Sequence, residues 1–440
     1  MPPFIVSIVR YEEPLKSVRR AVELCRGLDH LPAKARVFIK PNIVFWSRSA
    51  AFPKWGVITT SRVVEDMVVL LKERGIDDIT IGEGTVTARP KDLETPAHAF
   101  ETLGYNRLKE RYGIKILNIF ERPFKKLDFG GGVILNFNAD ALESDFIVNL
   151  PVLKTHAQAV VSLGIKNLKG LIDVPSRKKC HNADPEKNLH YWIARLGNKI
   201  PPSLTLLDGI YTNERGPGID GRIRRSNLLV ASSDILSADL VGSRLLGHDP
   251  SQVPHLVYAA QDQGRPWDLS DLEVRGEKIE AVASYHEYFF AYNEDESLPL
   301  PMAQMGIQGL AFKKYDLTMC TYCSGLTRLI LLALAKAWQG KPWDDVEILT
   351  GKAMKPTPGK KKTILLGKCM VQANQAHPDI QEMIPIKGCP PSTQELIKAL
   401  HSAGIQIDPS ILEDRDLSLN FYMKRYAGKP EFEEAFFTIS

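Results

Sequence analysis

Six cysteines occur in the 440 residues, and four of them lie in the last third of the chain. Cys320 and Cys323 form a C-x-x-C pair just ahead of the greasy run LTRLILLALAKAW. Cys369 closes TILLGKC, and Cys389 sits in GCPP after MIPIK. All four fall where strand-like runs hand over to loops or helices. In open α/β sheets the carboxyl ends of the strands converge on one crevice, so four thiols placed there can ligate one metal assembly. Helix N-termini beside Cys323 and Cys389 would stabilise anionic thiolates through exposed N–H groups and the helix dipole.

The residue types leave three readings open. The preferred one is a 4Fe–4S cluster, for which a proline directly after a ligand, as at Cys389-Pro390, has precedent. A structural zinc site also takes four cysteines, but usually as two close pairs, and here one pair stands with two distant singles. The third reading is unligated core thiols, since free cysteine packs like a small hydrophobe. Cys25, in an amphipathic helix, is read that way, and Cys180 is left open. The order CxxC, GKC, GCPP resembles the proximal 4Fe–4S segment of nickel–iron hydrogenase small subunits and of the related complex I subunit. That resemblance covers only these segments; it implies that Cys320, Cys323, Cys369 and Cys389 ligate one cluster. Nothing in the chain resembles the nickel-binding subunit.

Upstream, short polar signatures end one strand-like run after another: KPN (Lys40 to Asn42), GEG around Glu83, NLPVLKTH (Asn149 to His156), GIKNLKG (Gly164 to Gly170), His181 and His190, LDGI around Asp208, and SSDILSAD. Lys40, Lys154, Lys166 and Lys169 can neutralise a carboxylate or phosphate, and Asn42 and Asn167 join them as candidate site residues just past strands, where open sheets bind ligands. Glu83, Asp208, His156 and His181 can act as acids, bases or metal ligands. Each has a plainer reading. A lone strand-end lysine is usually solvated, Asp208 can cap a turn, and Asp234 can cap the helix that follows it. The GEG stretch is no dinucleotide fingerprint, because Thr87 stands where the third glycine belongs. Neither a Walker A sequence nor an HExxH or G-x-S-x-G motif is present.

Together these signatures resemble the bacterial and archaeal domain-of-unknown-function family 362 over about residues 1–265. The resemblance implies a fold and a strand-end site without specifying a reaction. Members often carry a ferredoxin-like cysteine run near the C-terminus; the CxxC, GKC, GCPP arrangement departs from that and implies one cluster, not two.

The elements that must position these residues recur as strand, turn, helix. FIVSIVR, RVFIKPN, DDITIGEG, GIKILNIF, SDFIVNLP, SLTLLDG and NLLVASSD read as strands. PLKSVRRAVELCRGL, SRVVEDMVVLLKERG and DILSADLVGSRLLG show helical periodicity. Alternation of this kind predicts an α/β domain with a largely parallel sheet over residues 1–300. The acidic, proline-rich NEDESLPLPM reads as a linker. A smaller α/β unit carrying the cysteines follows over 301–405, with DDVEILTG, KKTILLGKC and EMIPIKGCPP as strands and STQELIKALHSAG as a helix, and then a helical tail over 406–440. Ser392 and Glu395 have the spacing of a capping box.

Hydrophobic residues at 44% and charged residues at 25% are typical of a globular protein. A formal net charge of +4 is too small to predict nucleic-acid binding. The N-terminus reads as a first strand, not a signal peptide. The longest apolar stretch, LILLALA, is far short of the roughly 20 residues of a membrane span. A cytoplasmic protein with reduced thiols is expected.

The leading functional expectation is an iron–sulfur oxidoreductase or electron-transfer protein, acting on a small anionic metabolite or a second cofactor and exchanging electrons with a ferredoxin or similar carrier. The alternatives are a metal-dependent lyase or racemase with a structural cluster, and a non-enzymatic cluster-bearing sensor or assembly factor.

Overall fold

The computed structural model describes residues 3–85 and 91–439. The chain divides into two compact units. The larger comprises Met1–Arg177, His190–Phe289 and Tyr422–Ser440; the smaller comprises Lys178–Leu189 and Phe290–Phe421. The main change of unit, at Phe290, falls just ahead of the acidic, proline-rich stretch read as a linker. Two features were not visible in the sequence. The short segment Lys178–Leu189 joins the smaller unit, and the C-terminal residues divide between the units at Tyr422.

The strands of the larger unit are β1 (Phe4–Arg10), β2 (Val37–Pro41), β3 (Ile79–Glu83), β4 (Lys115–Asn118), β5 (Phe124–Asp128), β6 (Ile134–Asn138), β7 (Phe146–Leu150), β8 (Val152–His156), β9 (Val160–Ser162), β10 (Ser203–Glu214), β11 (Arg222–Ser232) and β12 (Leu272–Gly276). Among the described residues ten of these form one sheet in the order β12-β1-β11-β10-β7-β2-β3-β4, with β8 pairing β10 and β9, while β5 and β6 form a separate hairpin. The centre is parallel: β2 pairs β3 and β7, and β7 pairs β10 in that sense. Strand β11 runs antiparallel to both β1 and β10. Every residue of β2 and β7 is buried, as expected for parallel strands covered on both faces, whose sequences read as near-continuous apolar runs. The mostly parallel α/β class expected from the sequence is therefore the one observed.

Helix Ser61–Glu73 buries Val63, Val64, Met67, Val68, Leu70 and Leu71. Helix Ile235–Leu245 starts at Asp234, whose side chain accepts from the Ser237 N–H. Asp234 thus caps the helix, its plainer role.

The smaller unit has a four-stranded, all-parallel sheet in sequential order: β13 (Leu310–Ala311), β14 (Val346–Leu349), β15 (Lys362–Leu366) and β16 (Glu382–Ile386). Its core joins Val346, Ile348, Ile364, Ile384 and Ile386 from the strands to Ile330, Ala333 and Leu334 of helix Thr321–Ala337, and to Leu396, Ala399 and Leu400 of helix Thr393–Ser402. The latter helix opens with the capping box expected at Ser392 and Glu395. Among the described residues no helix is long and apolar enough to cross a membrane.

Candidate functional site

In the larger unit the polar signatures meet at the carboxyl ends of the central strands. Lys40 comes from the end of β2 and Glu83 from the end of β3. The Lys40 Nζ lies 2.5 Å from the Glu83 Oε2, and the two side chains are 0% and 3% exposed. Glu83 is held further by the backbone N–H groups of Ile43 (3.1 Å) and Gly84 (2.8 Å), and Lys40 also donates to the Pro41 carbonyl at 2.6 Å. A Cβ at position 170 would fall 2.8 Å from the Lys40 Nζ, so GIKNLKG ends in glycine because its backbone lies against the ion pair. Burial holds Lys40 below the ordinary lysine range despite the attraction of Glu83, and the nearby Arg177 charge adds to that effect.

Lys154, on β8, is also buried and donates to the Asn42 Oδ1 (2.8 Å) and to the carbonyls of Val57 (2.6 Å) and Pro217 (3.4 Å). A row of amides continues from it. The Asn42 Nδ2 donates to the Asn167 Oδ1 at 3.0 Å, the Asn167 Nδ2 to the Asn149 Oδ1 at 2.8 Å, and the Asn149 Nδ2 to the Gly164 carbonyl at 3.1 Å. The Asn167 Nδ2 also reaches the Lys40 carbonyl at 3.3 Å. Chains of this kind polarise one another in a low-dielectric interior. Burial, reinforced by the like charge of Lys40, lowers the Lys154 pKa to about 7. Asp208, in β10, accepts from the Thr60 N–H at 2.7 Å and the Ile210 N–H at 3.2 Å, and burial pushes its pKa up to about 6. An amine and a carboxyl poised near neutrality can exchange protons with a bound molecule at little energetic cost.

Lys40, Asn42, Glu83, Lys154 and Asn167 are thus tied together by hydrogen bonds, with Asp208 within electrostatic reach of Lys154. His156 ends β8, and its Nδ1 accepts from the Gln158 and Ala159 N–H groups at 3.1 and 3.2 Å, so it shapes the turn into β9. Lys166 directs its charge toward His190 and His255. His181 belongs to the smaller unit, where its Nδ1 lies 2.9 Å from the Leu317 carbonyl. The plainer reading of a solvated strand-end lysine does not hold for Lys40 and Lys154, which are buried; Lys166 and Lys169 lie in short helical turns, Lys166 half-buried and Lys169 buried.

Sequence reasoning passed over Asp239. Its two carboxylate oxygens accept from the Gly164 and Ile165 N–H groups at 2.6 and 2.8 Å, and burial raises its pKa to about 8. The second aspartate of SSDILSAD, one helical turn past the capping residue, was the available signal.

His190 and His255 stack with ring centroids 5.7 Å apart. His255 is fully buried, and among the described residues neither of its ring nitrogens has a hydrogen-bond partner. Burial lowers the His190 pKa from 6.5 to about 4. Burial also lowers that of His255, helped by the charges of His190 and Lys166. With folded values below the unfolded one, the unfolded chain takes up protons first as the pH falls. Stability is therefore full above about pH 6.5 and is lost on the way down to about pH 4, by about 3 kcal/mol from His190 alone. His255→Leu is expected to raise the melting temperature and to flatten its decline between about pH 7.5 and pH 5. An unchanged pH slope in that variant would count against the assignment.

In the smaller unit the four cysteines lie at the carboxyl end of its sheet. Cys320 caps helix Thr321–Ala337 and Cys323 lies in its first turn. Cys369 follows β15 and falls inside helix Lys368–Asn374, while Cys389 follows β16. The loops after β15 and β16 are joined by the Lys368 N–H to the Gly388 carbonyl at 3.2 Å. The loop after β14 is joined to the approach to Cys320 by the Lys352 N–H to the Thr318 Oγ1 at 2.7 Å. Gly367, at a φ of +89°, has only backbone where a Cβ would lie 3.6 Å from the Cys323 Sγ. The Cys323 thiol donates to Cys320. That bond, the N–H groups of Cys323 and Tyr322, and the Lys178 charge lower the Cys320 pKa to about 5. The same bond, burial, and the charges of Cys320, Cys389 and Cys369 raise that of Cys323. Among the described residues no group of three or more His, Cys, Asp and Glu side chains is arranged to hold a metal ion.

The chain is 28% identical over 257 residues to the thylakoid-associated protein sll1697 of Synechocystis sp., an alignment covering 57% of this chain and 74% of that protein. Residues 37–244, from β2 to the helix that Asp234 caps, match the family described as Domain of unknown function (DUF362), and the four cysteines from Cys320 to Cys389 lie beyond that match.

Proposed function

We propose that this protein is an iron–sulfur oxidoreductase or electron-transfer protein, with one 4Fe–4S cluster held by Cys320, Cys323, Cys369 and Cys389 of the smaller unit. The observation that carries the reading is the gathering of four thiols at one end of one parallel sheet, with Cys323 within the electrostatic reach of the other three. The order CxxC, GKC, GCPP, which resembles the proximal cluster segment of nickel–iron hydrogenase small subunits, supports the same donor set.

The donor set suits the group. Four cysteine thiolates are the ordinary ligand set of a 4Fe–4S cluster, and Cys320, Cys323, Cys369 and Cys389 would be the residues that hold it. A thiolate at Cys320 is already favoured by the Cys323 and Tyr322 N–H groups. A lysine side chain at Cys389 offsets further negative charge. Glycine at position 367 leaves room beside the Cys323 Sγ. A bound cluster would supply one-electron transfer, exchanged with a carrier of the ferredoxin class.

The larger unit would bind a small anionic metabolite or a second cofactor. There Asp208 and Lys154 would hold or release protons near neutral pH, Lys154 carrying positive charge when protonated, while the charge of Lys40 is balanced by Glu83. Asn42 and Asn167 keep Lys154 in place.

The test is the iron and acid-labile sulfide content of the anaerobically purified full-length protein, with EPR before and after dithionite. About four irons and four sulfides per chain with a reducible signal are expected. Zinc in their place, or no metal, would overturn the proposal.

A further inference from the structure

We propose that Lys178 tunes the reduction potential of the four-cysteine site, a role that rests on the cluster reading above. The Lys178 Nζ donates to the Cys389 Sγ at 3.6 Å. The same ammonium stands 5.4 Å from the ring centroid of Tyr322, one of the two residues between Cys320 and Cys323 in the helix start. One side chain therefore touches both the loop after β16 and the C-x-x-C turn.

Its position is built. Lys178 opens the segment Lys178–Leu189, which the smaller unit takes from the middle of the larger unit's sequence. That segment is latched by the His181 Nδ1 on the Leu317 carbonyl at 2.9 Å, and by the Lys352 ammonium on the His181 carbonyl. Leu317 leads directly into Cys320, so the latch and the cysteine turn share one backbone segment.

The chemistry follows from charge. Reduction by a one-electron donor, a ferredoxin-class protein or dithionite in the test, adds one unit of negative charge to an assembly that four thiolates already make anionic. An N–H donor and a positive charge at a ligand sulfur stabilise the reduced form more than the oxidised one, and so raise the potential. A charge-assisted hydrogen bond of ordinary strength corresponds to about a tenfold change in the reduction equilibrium. Cys389 is the ligand whose sulfur feels the bond directly.

Anaerobic redox titration followed by EPR would compare the full-length wild type with Lys178→Met, Lys178→Gln and Lys178→Arg, with iron counted in each sample. Wild-type iron content is expected in all three. In Lys178→Met and Lys178→Gln the midpoint should fall by about 59 mV, the one-electron equivalent of tenfold, while Lys178→Arg should stay near wild type. Unchanged midpoints with full iron content would overturn the role of Lys178 and leave the cluster standing. Loss of iron in both Lys178→Met and Lys178→Gln would make the residue one of retention and overturn the tuning role. A wild type without iron would remove the cluster reading itself, and this inference with it.

Discussion

Alanine at Cys389 is expected to lower the iron content at least severalfold relative to wild type and to abolish the reducible EPR signal, with Cys369→Ala behaving alike. A cluster held by four thiolates would lose a ligand that no neighbour replaces, and Cys369, in the first turn of helix Lys368–Asn374, and Cys389, in the loop after β16, are both exposed, so that water would take the vacated place. The internal control is Cys25→Ala. Cys25 is buried in the larger unit, with its thiol 3.4 Å from the Val22 carbonyl, and its removal should leave iron unchanged. If metal binding is coupled to folding, the smaller unit of Cys389→Ala should also melt earlier. Equal iron and sulfide in wild type, Cys389→Ala and Cys369→Ala would refute the assignment of these ligands.

Lys40→Met should destabilise the larger unit by about 3–5 kcal/mol, the usual cost of leaving one member of a buried ion pair without the other. The Glu83 carboxylate would keep the Ile43 and Gly84 N–H groups but lose its ammonium partner in a site 3% exposed. Lys40→Met combined with Glu83→Leu should recover much of that loss, since a well-packed apolar pair is often as stable as a buried ionic one. Urea unfolding of the wild type, both single variants and the double variant measures the coupling. A Lys40→Met penalty below about 1 kcal/mol would show that no uncompensated charge is left behind, and the pair would then have to be read as solvated.

Much of this was legible in the residues. The capping box at Ser392 and Glu395, the helix start at Asp234 and the strands from FIVSIVR to NLLVASSD follow from local preference, because caps, turns and apolar periodicity act over a few residues. The parallel character of the sheet could be read from the alternation of strand-like and helical runs; β2 and β7 are buried along their whole length, Lys40 and Asn149 included. The β5–β6 hairpin was missed because FKKLDFGGGVILNFN alternates weakly around three glycines. Asp239 was missed because a helical aspartate ordinarily faces water; here it faces the N–H groups of Gly164 and Ile165.

The candidate site divides along the same line. By itself the sequence determined which groups are available: the strand-end lysines, asparagines and acids, and four cysteines placed at turns. Residue type and local periodicity are properties of short stretches. Only the tertiary structure decided that Lys40 and Glu83 neutralise each other, that Lys154 feeds a row of amides ending at Gly164, and that His181 and Lys178 belong with the cysteines and not with the larger unit. Those pairings join residues dozens to hundreds of positions apart. Strand order and burial fix such distances, and no local preference encodes them.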